Sequence, residues 1–221
     1  GLRLVKLGRD VVYETTPAGL TVRGPRFTLE DVPLALPGAY QRENAALAVA
    51  ATDCLIGNGI GIPLEAVRRG LASAVWAGRF QLLANDPPFV LDVAHNPGGA
   101  RALAAALVER FGPQRFDVAL GVRPDKDLLG ILRALTPVAR RFIVTGGPAL
   151  DLRPAADIPA PAVAAALGGA PLVTVTAEPH SALATLQEAH AQGRACLVMG
   201  SHALVGFALR HLTGSGRVAP C

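Results

Sequence analysis

Only two lysines, Lys6 and Lys126, occur among 221 residues, and neither closes a Gly-x-x-x-x-Gly-Lys-Ser/Thr loop. That loop cradles nucleotide phosphates with backbone N–H groups and a lysine, so the chain is expected not to grip a triphosphate by that route. Cysteine is equally sparse. Cys54, Cys196 and Cys221 are too few and too scattered for a disulfide framework or a zinc site; Cys54 and Cys196 sit in apolar runs and read as small core residues. No apolar run approaches the ~18 residues that suggest a membrane span, and no basic-then-apolar leader opens the chain. Its first residues, Gly1-Leu2-Arg3, read as the middle of a longer polypeptide. The expectation is a soluble, cytoplasmic protein with no membrane partner.

Aromatic residues make up 5% of the chain, and this bears on the formal charge of +4. The basic residues are dispersed, with only Arg68-Arg69 and Arg140-Arg141 adjacent, and no aromatic side chains interleave with them to stack bases. No nucleic-acid partner is expected. Gly-x-Ser-x-Gly, His-Glu-x-x-His and Cys-x-x-Cys are all absent. A Gly-x-Gly-x-Gly at 57–61 follows a helical pattern instead of a strand, so it fails the context that a dinucleotide-binding turn requires.

What is present divides in two. Residues 2–36 carry short β-like pieces at 11–14, 20–22, 26–29 and 34–36, separated by Pro17, Gly19, Gly24-Pro25 and Pro33. Residues 44–56 read as a helix with Leu47, Ala50, Ala51 and Cys54 on one face, and Pro63 opens a second helix. After Trp76, apolar runs recur at 89–94, 116–121, 141–145, 172–175 and 195–199. Their spacing is too long for hairpins and suits βαβ crossovers, hence an α/β, Rossmann-like domain with a mostly parallel sheet. Between them, Ala100, Leu103, Ala104 and Leu107 fall in helical register, whereas 149–171 is rich in Ala and Pro and reads as a loop with at most one short helix. His180, His190 and His211 read as surface residues.

Several polar groups fall where chemistry is possible. Asp92 and His95 follow the first apolar run, beside a helix start at Asn96-Pro97. Carboxyl ends of parallel strands are where open α/β sheets bind ligands, and helix N-termini favour anions. A turn aspartate and a satisfied loop histidine would account for the same pattern. Arg79 lies 13 positions before Asp92 and offers a planar fork for phosphate, or is a linker arginine with Trp76 as a core anchor. Asn44 opens the first helix and suits an adenine edge or an N-cap. Asp125, Lys126 and Asp127 follow the next strand, and Ser201 follows the last.

In succession, GAYQRENAALAVAA (38–51), WAGRFQLL (76–83), LDVAHNPGGARAL (91–103), Gly-x-x-x-Asp-Lys-Asp (121–127) and VMGSHALVG (198–206) resemble the folylpolyglutamate/dihydrofolate synthases of the Mur ligase superfamily. The resemblance implies that residues 1–77 are the tail of a central ATPase domain and 78–221 the C-terminal Rossmann-like domain. It implies ATP contacts at Asn44 (adenine), Arg79 (phosphates) and Asp92 (ribose). His95 would serve near the transferred phosphate or incoming glutamate, with Asp125, Lys126 and Ser201 around the cleft. ATP, Mg2+, L-glutamate and dihydropteroate or a folate are the implied cofactors and substrates. The P-loop, the metal ligands and the modified lysine would belong to an N-terminal ATPase domain, so this chain would hold no metal and would be inactive alone. Val93 departs from the glycine usual there, with its side chain expected to point into the sheet. A Mur- or cyanophycin-type ligase and a non-catalytic nucleotide-binding module stand as alternatives.

Overall fold

The computed structural model describes residues 4–169 and 172–214. The chain divides into two compact units, residues 1–76 and 77–221. In the first, β1 (Val12–Thr16), β2 (Gly19–Arg23) and β3 (Thr28–Val32) form an antiparallel meander in that order. The piece expected at 34–36 is not a strand. The buried face of the meander, Leu20, Val22, Leu29 and Val32, packs on α1 (Ala39–Gly57) through Ala45, Ala46, Val49 and Ala50, with α2 (Leu64–Ala72) beside it.

The α1 helix corrects two expectations. It starts five residues before Asn44 with Gly38 as its cap, so Asn44 lies inside the helix and is not an N-cap. Leu47 and Ala51 are exposed, and the buried stripe is Gln41, Ala45, Ala46, Val49, Ala50 and Asp53. The helix is apolar nearly all round, so periodicity could not choose its face. Asp53 chooses it, accepting from the Arg26 backbone at 3.1 Å and pairing with the Arg26 guanidinium at 2.6 Å. Trp76 is no core anchor; it is 64% exposed.

The second unit is a six-stranded sheet in the order β4 (Gln81–Asn85), β5 (Pro88–Asp92), β9 (Ala195–Met199), β6 (Phe116–Leu120), β7 (Ala139–Thr145), β8 (Leu172–Thr176). Every pairing is parallel except β4 with β5. β5, β6 and β9 are buried at every position, as expected of strands covered on both faces. On one face Phe89, Leu91, Ala119, Ile143, Cys196 and Val198 pack on α6 (Pro179–Ala191) and α7 (His202–Gly214). The alternate residues point to the other face, the side of α3 (Pro97–Phe111) and α4 (Leu128–Leu135), which pack together. Ala100, Leu103, Ala104 and Leu107 of α3 are all buried, as their register predicts. Between β7 and β8 run two 3-10 turns and α5 (Ala160–Ala166). His190 corrects another expectation: half-buried, it bonds the Pro87 carbonyl at 3.0 Å and packs on Phe89. No described helix is long and apolar enough to cross a membrane.

At the amino-terminal edge of this sheet Asp117 is fully buried and faces three arginines: Arg141 at 2.9 Å, Arg194 at 3.3 Å and Arg140 at 3.6 Å. Beside it, burial pushes the Cys196 thiol up to about 12, with the Asp117 charge adding to the shift. Removing the carboxylate leaves three arginines clustered without their counter-charge. The arginines are partly exposed and screened by solvent, so Asp117→Asn is expected to destabilise this unit by about 1–3 kcal/mol in urea unfolding followed by circular dichroism. Cys196 is expected to resist iodoacetamide in the folded chain at pH 8, whereas the half-buried Cys54 reacts, as peptide mass spectrometry would show. The thiol's folded value lies above its unfolded one. Its support for folding is therefore full below the ordinary thiol range and is lost as pH climbs from there towards about 12.

Candidate active site at the carboxyl edge of the sheet

The carboxyl ends of β5, β9, β6 and β7 lie side by side, so the segments that follow them share one edge. At the end of β5, Asp92 is 2% exposed, and its carboxylate accepts from Phe80 N at 2.9 Å and Ala94 N at 2.7 Å. The first bond draws the turn 77–80 against the strand end and places Arg79, half-buried, next to Asp92. Val93 N donates to the Gly78 carbonyl at 2.8 Å, and Gly78 N to the Gln81 side chain at 2.9 Å. Gly78 has φ +72°, and a Cβ there would stand 2.9 Å from methyl carbons of both Val93 and Val205. Only glycine closes this turn. Val93 itself is buried in the core, as expected of its side chain.

Two residues further on, His95 bonds the Val93 carbonyl through Nδ1 at 3.0 Å. A carbonyl only accepts, so Nδ1 carries the hydrogen and Nε2 is the ring nitrogen left for a ligand. His95 lines a cavity of about 550 Å³ together with Arg123, Asp125, Lys126, Leu150, Asp151, Gly200, Ser201, His202 and Ala203. Three helices begin around this edge, each capped by a side chain: Asn96 accepts from Gly99 N in α3, Asp127 from Gly130 N in α4, and Ser201 from Leu204 N in α7. Their N-termini add positive potential to Arg123 and Lys126. Gly200 has φ +112°, and a Cβ there would come within 2.5 Å of the Gly121 carbonyl, so the last strand can turn into α7 against the β6 loop only with glycine.

The charges of the cavity are paired among themselves. Lys126 Nζ lies 2.7 Å from Asp125, and Arg123 Nε lies 3.5 Å from Asp125 and 3.4 Å from Asp151. The hydrogen bond from Lys126 is the main cause holding the Asp125 carboxyl below the usual carboxylate range. Exposed pairs of this kind contribute little stability, so ligand groups can replace them at small cost.

The structure thus draws the turn that carries Arg79 against the Asp92 carboxylate, and brings His95, Asp125, Lys126 and Ser201 around one cavity. Asn44 belongs to the other unit, where its side-chain amide donates to Gln41 at 3.0 Å. Sequence reasoning passed over Asp151 and His202. Both follow strands on this same edge, and that placement was the available signal. Asp92→Asn replaces one accepting oxygen by an N–H2 set against a buried backbone N–H. It is expected to cost about 1–3 kcal/mol in urea unfolding and to speed hydrogen exchange at Phe80 or Ala94.

The family model "Mur ligase, glutamate ligase domain" matches residues 78–202. A dihydrofolate synthase/folylpolyglutamate synthase of Mycobacterium tuberculosis is 39% identical over 138 residues, covering 60% of this chain and 28% of that protein. Among solved structures, the M. tuberculosis folylpolyglutamate synthase complexed with ADP and AMPPCP superposes with a TM-score of 0.76 at 27% identity, covering 95% of this chain and 49% of that one. E. coli FolC in complex with DHPP and ADP gives 0.74 at 26% identity, covering 95% and 47%. The chain spans about half the length of these solved relatives. With its matched residues making up the sheet and the edge just described, the chain belongs to the Mur ligase family, and within it is similar to the folylpolyglutamate and dihydrofolate synthases.

Proposed function

We propose that this chain forms the C-terminal part of a cytoplasmic, ATP-dependent amide ligase that adds L-glutamate to dihydropteroate or to a folate. The observation that carries this reading is the carboxyl edge itself. The turn carrying Arg79 is bonded to the Asp92 carboxylate, and next to it His95, Arg123, Lys126 and Ser201 line a cavity flanked by helix N-termini. Relatives of the same fold bind ADP, AMPPCP and DHPP. Residues 1–77 are the tail of the ATPase domain. In support, α1 beyond Asn44 exposes Leu47, Ala48, Ala51, Leu55 and Gly57, with no charge among them, the composition of a helix with a further layer to cover it.

In the first step a substrate carboxylate oxygen attacks the γ-phosphorus of ATP, forming an acyl phosphate and releasing ADP. In the second the glutamate amine attacks the acyl carbon, and phosphate leaves. Arg79 neutralises charge on the transferring oxygens; such preorganised contacts are typically worth about 3–4 kcal/mol. Asp92, on the ribose side, also holds the turn that carries Arg79, and Asn44 takes the adenine. His95 Nε2 stands where the transferred phosphate or the incoming amine is handled, and Lys126 and Ser201 offer donors to the carboxylates of glutamate, with Asp125 pairing with its ammonium. Magnesium, when bound, shields the phosphate oxygens; its ligands and the phosphate loop belong to the N-terminal domain.

ATP titration by NMR tests this. ATP is expected to shift the amides of 78–80 and 93–96 and to bind roughly tenfold more weakly to Arg79→Ala, as expected for loss of a charge-assisted contact. Turnover with folate and glutamate is expected to be absent in the chain alone. Micromolar ATP binding indifferent to Arg79→Ala would favour a non-catalytic nucleotide-binding module, and turnover by the isolated chain would refute the need for a phosphate loop.

A further inference from the structure

Of the cavity's cations Arg123 is exposed and Lys126 half-buried, and both pair with exposed carboxylates, so their own ion pairs do little to fix where they stand. Their backbone is fixed instead, and much of that comes from Arg153. This residue lies between β7 and β8, in a stretch without periodicity that nonetheless packs: neighbouring Leu152 and Ile158 are buried. Arg153 N donates to the Val122 carbonyl at 2.7 Å, and its Nη2 to the carbonyls of Pro124 at 2.6 Å and Lys126 at 3.0 Å. Lys126 N in turn bonds the Arg123 carbonyl at 3.1 Å, and Leu128 N the Lys126 carbonyl at 3.0 Å. Arg153 Nε is buried with no hydrogen-bond partner among the described residues. The guanidinium therefore bears a desolvation cost to reach those carbonyls.

We infer that Arg153 is a positioning residue of the amino-acid subsite: it clamps the 122–127 turn and so sets where the Lys126 ammonium and Arg123 guanidinium stand when a carboxylate ligand enters. The identity of that ligand rests on the ligase reading; the clamp does not. Preorganising the turn removes the ordering cost that flexible cations would otherwise incur on binding.

Hydrogen exchange and L-glutamate titration of the full chain, both by NMR, test this in wild type, Arg153→Ala, Arg153→Lys and Lys126→Ala. Arg153→Ala is expected to speed exchange of the 123–127 amides about tenfold or more, with β5 and β9 unchanged, and to weaken glutamate binding about tenfold. Arg153→Lys, which keeps donors for the carbonyls, restores most of both. Lys126→Ala weakens glutamate binding with the exchange of the turn unaltered. Unchanged exchange at 123–127 in Arg153→Ala overturns the clamp, as does acceleration spread evenly through the sheet. If Arg153→Ala does not fold, Arg153→Met decides, since it keeps the aliphatic stem and removes the donors: a rise confined to 123–127 supports the clamp, and none overturns it. Wild-type chain that ignores glutamate counts against the ligase reading alone, since the exchange arm still judges Arg153.

Discussion

The buried carboxylate of Asp92 organises the site. An ionised carboxylate accepting two backbone N–H bonds is a stronger tie than a neutral side chain could make, and here both bonds go to main chain that would otherwise splay from the strand end. The succession continues from Val93 N to the Gly78 carbonyl and from the His95 ring to the Val93 carbonyl. Residues 78 to 95 thus close into one bonded loop around the end of β5, with Arg79 and His95 at its two ends. A residue that reads from sequence as either a turn aspartate or a ligand residue holds the turn in place, and a ligand role for it would build on that.

Sheet order then decides what this loop faces. β9 lies between β5 and β6, so the start of α7 is interposed between His95 and the 122–127 turn, and Gly200 lets it sit close against Gly121. Segments distant in sequence meet because parallel strands deliver their ends to one edge. Lys126, Arg123, Asp125 and Asp151 form a balanced set of two cations and two carboxylates; on the proposed ligase reading, that balance would complement a zwitterionic amino acid better than a simple anion.

Much of this was legible from residues alone. β6 and β9 read directly, because strands buried on both faces leave unbroken apolar runs, and Asn96-Pro97 marks the start of α3 by local cap chemistry that tertiary contacts do not override. β4 left no such run: its burial is partial, and the Arg79-Phe80 turn ahead of it draws attention to polar chemistry instead. The face of α1 was illegible for the opposite reason, since with apolar residues all round only the distant partner of Asp53 could choose it. Arg153 and Asp151 lie in an Ala- and Pro-rich stretch whose order comes from contacts with Val122, Pro124, Lys126 and Arg123, none of them local.

The two edges of the sheet divide their electrostatics in a way that bears on how such a site can change. At the amino-terminal edge a fully buried Asp117 carboxylate is neutralised by three partly exposed arginines, so loss of that one carboxylate is costly. At the carboxyl edge the pairs are exposed, screened and individually weak, and the geometry is held by backbone bonds from Asp92, Arg153 and the helix caps. Substituting a cavity cation should therefore alter recognition while the fold stands. Substituting a residue that holds the backbone should move several cavity groups together. On the proposed ligase reading, specificity in this domain would vary through Arg123, Lys126 and Asp151 without rebuilding the loops that present them.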